Sequence, residues 1–85
     1  MRFDNDAIGR VIRELRKEKR ISQVVLSGLA GIARTHLTMI EKGSKQPNFE
    51  TIWKIAAALA LRPSELVRKI EHEIEENAAR KGAEN

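Results

Sequence analysis

Residues 23–42, QVVLSGLAGIARTHLTMIEK, constrain the fold more than any other part of the chain. Two short apolar-patterned runs meet at Gly31. Glycine has no β-carbon and takes φ > 0 at no steric cost, which is what a tight turn between two helices requires. Leu26, Ala30, Leu37 and Ile40 fall at helical spacing and predict an inward stripe on each helix. Ser27 is small where the two helices cross, and Ile32 can tuck beneath the turn. Arg34, Thr35, Thr38, Met39 and Lys42 are left on the outer side of the second helix. A helix packed rigidly along one side, with contact groups on the other, has a shape that the DNA major groove accepts.

The rest of the chain also reads as helix. Ile8, Val11, Ile12 and Leu15 line one face of a first helix over residues 6–19, with Asp6 as its N-cap. Arg10, Arg13, Lys17 and Arg20 lie opposite. Ser22 caps the second helix, which ends near Ala30. The third covers residues 33–42, with Gly43 as a left-handed stop. A polar loop at residues 44–47 precedes Asn48, the cap of a fourth helix whose buried stripe is Ile52, Ile55, Ala56 and Leu59. Pro63 suits the first turn of a fifth helix, where Leu66, Val67, Ile70 and Ile74 continue a stripe. No β-pattern and no internal repeat appears. Residues 1–78 are expected to form one domain, and the small, charged residues 79–85 a frayed tail.

Composition narrows the class. Eighty-five residues suffice for one small core. There is no Cys, hence no disulfide or zinc-thiolate framework, which suits a reducing, cytoplasmic setting. No apolar run approaches the length of a membrane span, and no signal-peptide core is visible. Residues 1–48 carry a formal charge of +5 and residues 49–85 a charge of −1. The basic half therefore holds the two-helix segment, an arrangement that favours contact with phosphates. Three aromatic residues, Phe3, Phe49 and Trp53, are few for a base-stacking single-strand binder. His36 and His72 are far apart and lack partners at ligand spacing, so neither a metal site nor another cofactor is expected.

The match to a known pattern runs from IRELRKEKRISQ (residues 12–23) through IEKGSKQPNFETIWKIAAALALRPSEL (residues 40–66), in order and without large gaps. Over this stretch the chain resembles a Cro/phage-repressor (XRE-type) helix-turn-helix DNA-binding domain. The resemblance implies an all-α, compact five-helix repressor-like bundle, with helices 2 and 3 as the helix-turn-helix. It implies base contacts from Arg34, Thr35, Thr38 and Met39, and phosphate contacts from Gln23, His36, Lys42 and Lys45. It pairs Arg16 on helix 1 with Glu41 at the end of helix 3. It also implies a homodimer on a palindromic operator, and the apolar stripe of Leu66, Val67, Ile70 and Ile74, with Trp53 beside the stripe of helix 4, places the expected interface on helices 4 and 5. Ile74 in particular is hard to place without a partner. The expected function is that of a small transcriptional regulator, similar to Cro-like repressors or restriction–modification controllers, with no small-molecule effector evident.

Departures from the family pattern weaken the frame without altering the outer face of helix 3. Val24 and Val25 stand where polar residues are usual. Gly28 lies inside helix 2, costing about 1 kcal/mol relative to Ala. Ala33 and Arg62 replace capping residues, and a lost cap costs about 1 kcal/mol. Two rival classes remain. An enzyme has little to work with: there is no Gly-rich phosphate loop, and Glu71, Glu73, Glu75 and Glu76 spread around a helix axis. A protein-interaction module of the same fold, such as an antitoxin or bridging factor, is disfavoured by outward Arg34, Thr35 and Lys42.

Overall fold

The computed structural model describes residues 2–84 in backbone and residues 2–80 in side chain. It contains α1 (Asn5–Glu18), α2 (Gln23–Ala30), α3 (Arg34–Glu41), α4 (Phe49–Ala58) and α5 (Pro63–Glu84). No strand occurs among the described residues, so the architecture is the expected all-α bundle.

Capping accounts for most of the helix starts. Ser22 Oγ accepts from the Val25 amide at 3.1 Å, and Asn48 Oδ1 accepts from the Thr51 amide at 2.8 Å. Helix α1 starts one residue earlier than expected, and its cap is Asp4 rather than Asp6. Asp4 is extended and its Oδ1 accepts from the amides of Asp6 (2.9 Å) and Ala7 (3.2 Å). Asp6 lies instead in the first turn, where a carboxylate complements the positive end of the helix dipole. Ala33 supplies no side-chain cap to α3. At α5, Glu65 Oε1 accepts from the Arg62 amide at 2.9 Å, restoring half of a capping box that Arg62 itself cannot complete.

Helices α1 to α4 all stop in the same way. Each is followed by one left-handed residue: Arg20 (φ 57), Gly31 (φ 69), Gly43 (φ 79) and Ala60 (φ 59). The next amide then donates back to the last turn: Ile21 to Arg16, Ile32 to Ser27, Ser44 to Met39 and Leu61 to Ala56. This closure satisfies carbonyls that would otherwise be orphaned at the helix end.

The core draws on all five helices. Ile12, Leu26, Leu37, Ile40, Ile55, Leu59 and Leu66 are fully buried. α1 packs against α3 and α5, α2 against α3 and α4, and α4 against α5. Gly9 is the close-approach point of α1: a β-carbon there would sit 2.4 Å from the Ile40 carbonyl oxygen and 2.5 Å from that of Glu41. Only hydrogen at this position lets α1 lie against the end of α3.

Helix α5 departs from expectation in two ways. It runs on to Glu84, although residues 79–85 were expected to be a tail; Asn85 lies outside the described residues. Ala78, Ala79 and Arg80 are strong helix formers, and Arg80 donates to Asn77 one turn back. Ile74, expected to need a partner, is 8% exposed and belongs to the protomer's own core, as do Leu66 and Ile70. The reason is that α5 stays alongside α1 through this region, where Arg10 Nε meets Glu73 Oε1 at 3.2 Å.

Candidate nucleic-acid interface

Helix α3 divides cleanly into two sides. Leu37, Ile40 and Glu41 are buried, while Arg34, Thr35, Met39 and Lys42 are exposed. Thr38 and His36 lie half-buried at the two borders, and Lys45 is exposed in the following loop. Among the described residues, Arg34, Lys42 and Lys45 form no ion pair, so their charges are available to a ligand. The four expected base-contact residues therefore share one side of one helix, with the two lysines at its C-terminal end.

The inner side is anchored by an ion pair. Arg16 Nε donates to Glu41 Oε2 at 2.8 Å and Nη2 donates to Glu41 Oε1 at 3.0 Å, a bidentate pairing. Arg16 Nη1 donates to the Ile21 carbonyl at 3.0 Å, which ties in the link between α1 and α2. The Glu41 hydrogen bonds hold the Arg16 guanidinium above its ordinary pKa despite its desolvation. The pair expected between these two residues is thus formed, and it ties α1 to α3.

Gln23 extends the anchor. Its Nε2 donates to Glu41 Oε1 at 3.0 Å, and its Oε1 accepts from Thr38 Oγ1 at 2.9 Å. The Thr38 hydroxyl also lies 3.0 Å from the Arg34 carbonyl oxygen. A connected path of hydrogen bonds therefore runs from the buried pair to the outer border of α3. Sequence reasoning assigned Gln23 to phosphate and missed this link, since nothing in local periodicity relates residues 18 positions apart. It also missed Gly9; a glycine inside α1, between Ile8 and Ile12, was the available signal.

The residues expected at a dimer interface divide between surface and core. Trp53 and Val67 are exposed, whereas Leu66, Ile70 and Ile74 are spent on the core. Phe49, not anticipated, joins Trp53 one turn away, with ring centroids 6.1 Å apart. Among the described residues, no helix is long and apolar enough to cross a membrane.

Comparison with known proteins agrees with this geometry. The Helix-turn-helix family model matches residues 12–66. The chain is 33% identical over 60 residues to the immunity repressor protein of Bacillus phage phi105, covering 71% of this chain and 42% of that protein. It is 34% identical over 59 residues to the ImmF control region 10 kDa protein of the same phage, covering 69% and 66%. Among solved structures, the restriction-modification controller protein C.AhdI from Aeromonas hydrophila superimposes with a TM-score of 0.71 at 35% identity, covering 73% of this chain and 94% of that one. With the two-helix unit, its left-handed turn at Gly31 and the Arg16–Glu41 anchor in place, the chain belongs to the Cro/phage-repressor (XRE-type) helix-turn-helix family.

Proposed function

We propose that this chain is a transcriptional regulator that binds double-stranded DNA sequence-specifically, with α3 in the major groove. The observation that carries this reading is the outer side of α3. It presents Arg34, Thr35, Met39 and Lys42 to solvent while Leu37, Ile40 and the Glu41 anchor hold its inner side rigid. Arg34 opens the helix and donates to guanine O6 and N7; Thr35, Thr38 and Met39 complete the base-reading set. Lys42, Lys45 and His36 contact phosphates, as does Gln23 through the amide hydrogen not used on Glu41. A single unit of this size reads few base pairs, so the DNA-bound form is a homodimer on a palindromic operator. Its surface includes the exposed Trp53, with Phe49 beside it, and the exposed Val67.

Arg34→Ala tests the reading by fluorescence anisotropy on cognate and random duplexes. Cognate affinity should fall by about 1–3 kcal/mol, with selectivity relaxed at one base pair. Equal losses on both duplexes would make Arg34 a phosphate contact, and no loss on cognate DNA would remove α3 from the groove.

A further inference from the structure

We propose that Thr38 meets DNA only as a hydrogen-bond acceptor and so selects a base bearing an exocyclic amine in the major groove: adenine over guanine, or cytosine over thymine. This rests on the groove reading above and adds the polarity of one contact.

The polarity follows from counting hydrogens along the anchor. Arg16 can only donate, and it donates to both oxygens of the Glu41 carboxylate. The Glu41 oxygens can only accept, so the Gln23 atom 3.0 Å from Oε1 must be the amide nitrogen. A reversed amide would press two acceptors together beside a carboxylate whose side chain is only 3% exposed. The amide orientation is therefore set from within the protein, and Gln23 Oε1 faces Thr38. That oxygen also only accepts, so the single hydroxyl hydrogen of Thr38 is drawn to it. The other nearby group, the Arg34 carbonyl, is an acceptor as well. Whichever of the two takes the hydrogen, none is left for DNA, and Thr38 Oγ1 offers lone pairs alone. Adenine N6 and cytosine N4 supply a donor to such an atom; guanine O6 and thymine O4 would face it acceptor to acceptor.

The test begins with the site that the wild-type protein enriches from a random duplex pool. Thr38→Val keeps the branched shape and the methyl group but removes the oxygen; Thr38→Ser keeps the oxygen. Wild type and Thr38→Ser should prefer adenine or cytosine at one base pair, and Thr38→Val should lose that preference. Replacing that adenine by purine, or that cytosine by 2-pyrimidinone, deletes the amine. Wild-type binding should then weaken about three- to tenfold, the worth of one hydrogen bond, beyond any loss from the same replacement elsewhere in the site. A Thr38-dependent preference for guanine or thymine would overturn the proposal. So would the absence of any Thr38-dependent position while Arg34→Ala still alters selectivity, a result that leaves the groove reading standing. A pool with no enriched sequence would overturn both.

Discussion

Replacing Arg16 by Ala probes the anchor that positions the recognition helix. Arg16 and Glu41 have side chains only 12% and 3% exposed, and their two direct hydrogen bonds measure 2.8 and 3.0 Å. In Arg16→Ala the Glu41 carboxylate stays buried with Gln23 as its remaining partner. Leaving one member of a buried pair uncompensated costs about 3–5 kcal/mol. A domain of this length has about 4–13 kcal/mol of stability in total, so the loss is a large share of it. At about 4–8 °C per kcal/mol, Tm should drop by at least about 12 °C. Thermal and urea unfolding followed by far-UV circular dichroism measure this directly. Arg16→Met combined with Glu41→Leu should be more stable than Arg16→Ala alone, because the orphan charge is gone. A loss below about 1 kcal/mol in Arg16→Ala, the range of exposed pairs, would show that the pair is solvated and does not pin α3.

Other perturbations separate packing from assembly. Gly28 faces open space, so Gly28→Ala should stabilise the protein by about 0.5–1 kcal/mol, whereas Gly9→Ala drives a β-carbon into the backbone of α3 and should cost about 1–3 kcal/mol or more; both are read from urea midpoints. Trp53→Ala combined with Val67→Glu should yield a folded monomer with weakened palindrome binding, as followed by sedimentation equilibrium; unchanged association would move the interface elsewhere. Ile74→Glu should unfold the protomer rather than only dissociate it, since Ile74 is a core residue, and a well-folded Ile74→Glu monomer would contradict that placement.

Much of the architecture was legible because local chemistry and global packing agree. Gly31 and Gly43 mark helix ends that truly take positive φ, and Ser22 and Asn48 make the caps their side chains suggest. The ends of α1 and α4 carry the same left-handed residue without a glycine to announce it, at Arg20 and Ala60. The cost of αL for an L side chain, about 1–2 kcal/mol per residue, is offset there by the residue that follows, Ile21 or Leu61, whose amide closes the helix end and whose side chain packs on the core. The two aspartates near the start of α1 are chemically equivalent as caps, and only the backbone at Asp4 decides between them. Periodicity gives the face of a helix but not the reach of its neighbour, so the sequence alone leaves Ile74 without a partner, whereas α5 packs on α1 and buries it in the protomer's own core. In the candidate interface, the sidedness of α3 followed from spacing, and the Arg16–Glu41 pair from family resemblance. The Gln23 link from that pair to Thr38 is a three-dimensional fact between α2 and α3, with no trace in either helix alone.

Selection of bound sequences from a random pool of duplexes tests the central claim most directly. A two-fold symmetric dimer reading through α3 predicts a palindromic consensus, its half-sites centred about 34–36 Å apart, or 10–10.5 base pairs, on one face of the duplex. Salt-sensitive binding with no enriched sequence, at any protein concentration, would contradict sequence-specific recognition and leave only the attraction of a basic surface for phosphate.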